Sequence, residues 1–286
     1  MDYYILVTGA SSGIGEQACK LFTSLGYHVL AGVRKTGDGE TLATKYGNHL
    51  HPVLMDVTAE DQLLAAKESV EKMIGEGALV AIINNAGIAV HGAVLYIPLQ
   101  AWRNQFEINL MGAIRVTQLF FPLLIRPGKP ADLHPRRIVN ISSVSGLFAS
   151  PFLAPYVASK YALEAMSDSL RRELYMYDVQ VVLIEPGNIR TPMWAKAKTD
   201  TTYFGPEYES IISFKDRIID KNIEEAFDLS ALDPVFIKAV KGQRVRPRYL
   251  IRPNAWKFNL IRRLPASWID RMIRKKLQSR SGIRPF

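Results

Sequence analysis

The chain is short of cysteine, with one, Cys19, in 286 residues. A single thiol excludes an internal disulfide and fits a reducing, cytoplasmic setting. A bilayer span is missing as well. The longest apolar stretch, 78–99, is interrupted by Asn84, Asn85 and His91, which makes it a poor candidate to cross a hydrocarbon core. No basic segment precedes the apolar run that opens at Tyr3, which predicts no export signal. Of the five histidines only His49 and His51 stand close together, without acidic or cysteine partners, so no metal site is expected. Internal repeats and low-complexity tracts are absent too.

What remains is ordinary in bulk and uneven in charge. With 48% hydrophobic residues the chain can bury a sizeable core in one large domain. The net charge of +9 belongs to the C-terminal segment. Residues 241–286 hold 14 Lys and Arg against one acid, Asp270, whereas the other 240 residues hold 22 against 26. The expected division is therefore a body over 1–253 and a basic extension over 254–286.

Apolar runs at 3–8, 28–33, 52–55, 79–83, 137–141, 179–184 and 248–251 read as strands, and helical segments separate them. This alternation predicts an α/β fold, a doubly wound parallel sheet of about seven strands with helices on both faces. Helices are expected at about 59–75, 102–125, through Tyr156 to about Tyr177, and at 231–241. Residues 126–137 read as a polar surface loop. Residues 190–228, without a clear period, read as a flap over one end of the sheet.

Candidate functional residues cluster where strands end, which is where open α/β sheets bind ligands. After the first strand runs Thr8-Gly9-Ala10-Ser11-Ser12-Gly13-Ile14-Gly15. Its glycines permit a tight turn and close approach of backbone to a pyrophosphate, and the following helix offers free N–H groups. The second strand ends in Arg34-Lys35, with no acid over 28–35. A cation at that point accommodates a 2′-phosphate, so Arg34 with Ser12 favours NADP(H) over NAD. Asp56 and Val57 end the third strand, and Asn84-Asn85-Ala86-Gly87 end the fourth, where small residues suit packing against a ribose.

Tyr156 and Lys160 share one face of a helix by their i, i+4 spacing. A phenol beside an ammonium can serve as a proton donor at neutral pH. Pro186-Gly187-Asn188-Ile189-Arg190-Thr191 follow the sixth strand.

Together, Thr8-Gly9-x-x-x-Gly13-x-Gly15, Asp56-Val57, Asn84-Asn85-Ala86-Gly87, Asn109, Ser143, Tyr156-x-x-x-Lys160 and Pro186-Gly187-x-x-x-Thr191 resemble the short-chain dehydrogenase/reductase family in its single-domain branch, over roughly 1–192. The order of pieces is similar to its hydroxysteroid- and retinol-dehydrogenase-like members. The resemblance implies an NADP(H)-dependent oxidoreductase that interconverts a carbonyl and a secondary alcohol. It implies Tyr156 as general acid or base, Lys160 lowering the Tyr156 pKa and binding the nicotinamide ribose, Ser143 holding the substrate oxygen, and Asn109 holding a proton-relay water. It also implies cofactor contacts from Gly9, Ser11, Ser12, Gly13, Ile14, Gly15, Arg34, Asp56, Val57, Asn85, Ala86, Gly87, Tyr156, Lys160, Pro186, Gly187, Ile189 and Thr191, and a homodimer or homotetramer. A competing reading is a dinucleotide-binding sensor or scaffold at a membrane surface, without turnover; the intact set of four catalytic residue types argues against it. Phe148, Phe152, Met193 and Trp194 near the proposed site suggest an apolar substrate, with His91 beside it.

From Pro265 the chain can form a helix with Trp268, Ile269, Met272, Ile273 and Leu277 on one side and Arg271, Arg274, Lys275 and Arg280 on the rest. Such a helix suits an anionic membrane surface as a peripheral contact. It equally suits packing over the substrate cleft or on a second subunit. Nucleic acid is not expected, since no stacking platform or recognition module is visible.

Overall fold

The computed structural model describes residues 2–126, 135–193 and 200–281. Most of the polar loop, and Trp194, lie outside the described residues. Seven parallel strands form one sheet in the order β3-β2-β1-β4-β5-β6-β7. They are β1 (Tyr3–Thr8), β2 (His28–Val33), β3 (Leu50–Leu54), β4 (Ala78–Asn84), β5 (Arg136–Ile141), β6 (Val179–Pro186) and β7 (Arg248–Ile251). The doubly wound arrangement expected from the β/α alternation is what the chain adopts.

The inner strands are apolar throughout because helices cover both faces. Along β1, Ile5 and Val7 join one core cluster while Tyr4 and Leu6 join the other, the period of two made visible. Burying Ile5 or Leu6 completely contributes about 1.5–3 kcal/mol each. The first layer packs α1 (Gly13–Ser24) and, near the far edge, α2 (Thr36–Tyr46); the second packs α3 (Glu60–Ile74). Strand order reverses between β1 and β4, which opens a crevice at their C-terminal ends.

Two expectations need correction. The single helix over 102–125 is three pieces: α4 (Leu99–Phe106), a π-helical turn Glu107–Met111, and α5 (Gly112–Leu124). The Gly112 N–H bonds the Glu107 carbonyl to close that turn, and a side chain at Gly112 would reach within 2.6 Å of Val57. The segment without a clear period also contains a helix, after α6 (Ala154–Glu173): α7 (Glu209–Glu224). Its Ile212, Ile219 and Ile223 repeat helically, but the pattern lasts only four turns and is diluted by the polar residues before Pro206.

α8 (Asp233–Lys241) precedes β7, and α9 (Ala255–Ile261) and α10 (Ala266–Ser281) follow it. α10 packs against α7. Among the described residues no helix is long and apolar enough to cross a membrane.

Candidate active site

The glycine turn is locked from across the sheet. The Asn85 side-chain nitrogen donates to the Thr8 and Gly9 carbonyls at 3.0 Å each, and the Thr8 hydroxyl accepts from the N–H groups of Asn85 and Ala86. Gly9 holds φ +62, and a methyl at Gly15 would collide with the Gly9 carbonyl oxygen and lie 2.5 Å from the Asn85 nitrogen. Only hydrogen fits there. Asn85 therefore shapes the loop with its amide.

Ser12 stands at the N-cap of α1 without a side-chain capping bond, and both Ser11 and Ser12 are exposed. Thr191 leans over the loop, its methyl 3.5 Å from where a Gly13 side chain would begin. Arg34 is exposed at the end of β2. Asp56 turns inward on its own chain, accepting from the Thr58 N–H at 2.9 Å and its hydroxyl at 2.7 Å. Gly87 lies beside the Asn109 side chain. A loop closed to side chains and a helix N-terminus together fit a dinucleotide pyrophosphate. Ile189 is 2% exposed and belongs to the core, packed there because its segment pairs with Phe227.

Tyr156 stands in the first turns of α6, with Pro155 before it to start the helix. Its hydroxyl meets that of Ser143, which follows β5. Ser143 is held in turn, accepting from the Ser145 N–H at 3.1 Å, and its hydroxyl lies 3.5 Å from the Pro186 carbonyl. Lys160, one helical turn beyond Tyr156, is buried and donates to the Ile141 carbonyl at 2.7 Å. Its ammonium is 5.7 Å from the centre of the Tyr156 ring.

Burial pulls the Lys160 ammonium down to about 8. Burial also pushes the Tyr156 phenol above its ordinary value, opposed by the Ser143 hydrogen bond. The expected lowering by Lys160 is thus not what dominates here. A phenol held protonated is a proton donor, the form that carbonyl reduction requires.

Asn109 sits in the π turn, 2% exposed. It accepts from the Ile88 N–H at 2.9 Å and donates to the Ile88 carbonyl at 3.0 Å. Its nitrogen also reaches the Ser159 hydroxyl at 3.2 Å, and Ser159 donates to the Tyr156 carbonyl. The amide thereby couples the loop after β4 to the helix that carries Tyr156.

Aromatic rings line the approach. Phe152 lies 5.8 Å from both Phe204 and Tyr208, and Phe148 lies 6.2 Å from Phe258 of α9. Phe152 adopts φ +63, a left-handed conformation costly for a bulky residue, and its carbonyl accepts from the Gly92 N–H. His91 adjoins that contact and is half-buried. Met193 is 37% exposed. Tyr208 and Phe258 escaped sequence reasoning because nothing local relates them to the motifs.

Behind the site lies a partly buried charge cluster with no sequence signature. Arg248 on β7 pairs with Glu164 of α6, with Glu185 of β6 at 3.0 Å and with Asp168 at 2.8 Å. Burial pushes the Glu185 carboxyl up to about 7. Three of the histidines lie elsewhere. His28 and His51 nitrogens are 2.9 Å apart, and the His49 ring lies tilted 4.6 Å from that of His28, toward the opposite edge of the sheet.

A phosphate-cradling turn at the sheet's switch point, with a phenol, a hydroxyl and a buried ammonium at the neighbouring strand end, defines a dinucleotide-dependent oxidoreductase. The sequence pattern of the short chain dehydrogenases matches residues 3–202. Over 277 residues, covering 96% of this chain and 97% of the relative, the sequence is 34% identical to the NADPH-dependent 3-dehydrocapnine reductase of Ornithobacterium rhinotracheale. It is 38% identical over 198 residues to 17-beta-hydroxysteroid dehydrogenase type 6 of Bos taurus, covering 68% of this chain and 60% of that one. The fold matches a short chain dehydrogenase/reductase from Burkholderia phymatum in complex with NAD, with TM-score 0.78 and 20% identity, over 100% of this chain and 98% of the other. The chain belongs to the short-chain dehydrogenase/reductase family.

Proposed function

We propose that this chain is an NADP(H)-dependent reductase of an apolar ketone, or in reverse a dehydrogenase of the secondary alcohol, with Tyr156 as the proton donor. The contact between the Tyr156 and Ser143 hydroxyls above a buried Lys160 carries this reading. Two hydroxyls at one point can both donate to a single carbonyl oxygen, which polarises the carbon and stabilises charge as the oxygen becomes an alkoxide. The nicotinamide, when bound, supplies the hydride to that carbon or takes it back. Tyr156 gives its proton to the oxygen, and Ser143 holds that oxygen in place. The Lys160 ammonium has three donors, of which Ile141 takes one, so it can also bind the cofactor ribose and steady the phenolate that remains.

Asn109 acts by position, through Ile88 and Ser159. A proton-relay water beside it has the backbone carbonyl to bind, because both ends of the side-chain amide are engaged. Arg34 and Ser12 select the 2′-phosphate of NADP. The NADPH-dependent relative supports that choice. The Phe148, Phe152, Phe204 and Tyr208 rings favour an apolar substrate. The half-buried Ala162, Met166 and Leu170 on one stripe of α6 offer a subunit contact.

The deciding experiment follows cofactor absorbance with NADPH and with NADH across ketones of rising chain length. Turnover that rises with apolar length and prefers NADPH is expected. No oxidation of either cofactor by any ketone would defeat the proposal.

A further inference from the structure

The basic extension divides its apolar residues between two faces. On α10, Ile269, Ile273 and Leu277 are half-buried on the side that packs against α7, and Phe258 of α9 is buried at 7%. The remaining large apolar residues point outward. Trp256 is 66% exposed, Leu260 60%, Trp268 58% and Met272 52%. Each pair is spaced i, i+4, so each makes a stripe along its helix. Sequence reasoning placed all five apolar residues of α10 on one side; the packed helix separates them into an inner row and an outer pair.

Cations surround the outer stripes. Lys257, Arg263, Arg271, Arg274 and Lys275 are exposed, and none forms an ion pair among the described residues. The sole acid of the region is Asp270. We propose that α9 and α10 form an in-plane docking surface for an anionic lipid bilayer. The tryptophans enter the headgroup layer, and the lysines and arginines meet lipid phosphates and carboxylates. A second copy of the same face is a poorer occupant, since residues 255–281 bring eight cations and one acid against an identical set.

The surface lies beside the cleft. α10 rests on α7, and residues just before α7 supply Phe204 and Tyr208 to the aromatic approach. Docking thus turns that approach toward the bilayer, where an apolar substrate is dissolved. Only this delivery rests on the proposed function; attachment to lipid stands apart from it.

The test uses the full chain and vesicles, either phosphatidylcholine alone or phosphatidylcholine and phosphatidylserine in equal amounts, with co-sedimentation and tryptophan emission as readouts. Binding is expected only to the mixed vesicles, with a blue shift of emission and release by about 0.5 M salt, where the Debye length falls to a few ångströms. Trp256→Ala with Trp268→Ala should lower the partition coefficient about tenfold, and Arg271→Glu with Arg274→Glu and Lys275→Glu should abolish binding, both with unchanged circular dichroism. Failure of the wild-type chain to bind the mixed vesicles overturns the proposal. So does equal partitioning by the variants, or a chain dimer in sedimentation velocity that the tryptophan substitutions dissolve while vesicle binding persists.

Discussion

Lys160 donates to the carbonyl of Ile141 at 2.7 Å, and that bond joins the helix carrying Tyr156 to the strand that Ser143 follows. Ile141 lies two residues before Ser143, so one contact fixes the ammonium relative to both hydroxyls. The charge is kept in a dry place at a cost to stability, a common feature of catalytic lysines.

Removing the proton donor tests the chemistry. Tyr156→Phe should lower kcat by about 10²–10⁴, the usual contribution of a positioned general acid. NADPH binding, followed by fluorescence, should change little. Turnover close to wild type would exclude Tyr156 as the donor.

The Lys160 shift predicts a pH dependence. The folded-state value near 8 lies below the ordinary 10.5, so between them the unfolded chain binds more protons. The penalty is full below pH 8, and stability rises as pH climbs through that window. Relative to Lys160→Met, the wild type should gain up to about 3 kcal/mol, read from urea unfolding between pH 7.5 and 10. Parallel curves for the two proteins would contradict the burial of a charged Lys160.

Glycine geometry gives a paired comparison. Gly15→Ala meets backbone at Gly9 and the Asn85 amide, neither free to move, and should destabilise by about 1–3 kcal/mol with loss of cofactor affinity. Gly37→Ala in α2 meets nothing within 4 Å and should stabilise by about 0.5–1 kcal/mol. Thermal unfolding of both, with NADPH titration of the first, checks the contrast.

Arg34→Ala should raise the KM for NADPH about tenfold or more and leave that for NADH nearly unchanged, because only one cofactor presents a phosphate there. An equal change for both cofactors would move 2′-phosphate recognition elsewhere.

Arg248→Met leaves Glu164, Glu185 and Asp168 facing one another. The loss should be about 2–3 kcal/mol at pH 8, below the usual figure for a buried pair because the Arg248 side chain is 34% exposed. Glu185, already pushed up to about 7 by burial, takes a proton as pH falls. The difference from wild type should therefore shrink toward pH 5 in denaturant titrations. A constant difference would mean that packing, not charge, is what Arg248 supplies.

The sequence by itself determined which segments become strands, the glycine turn and the Tyr156–Lys160 pair. These depend on short spacings, a period of two or of nearly four, or a glycine where no side chain fits, and such spacings act on their neighbours alone. Tertiary structure decided the rest. Arg248 lies 84 positions from Glu164, Asn109 finds Ser159 fifty positions away, and Arg137 is 1% exposed because the Ala239 and Gly242 carbonyls receive its guanidinium. The two faces of α10 followed the same rule: an amphipathic pattern names the residues that avoid water, but the neighbouring helix α7 chose which of them it would cover.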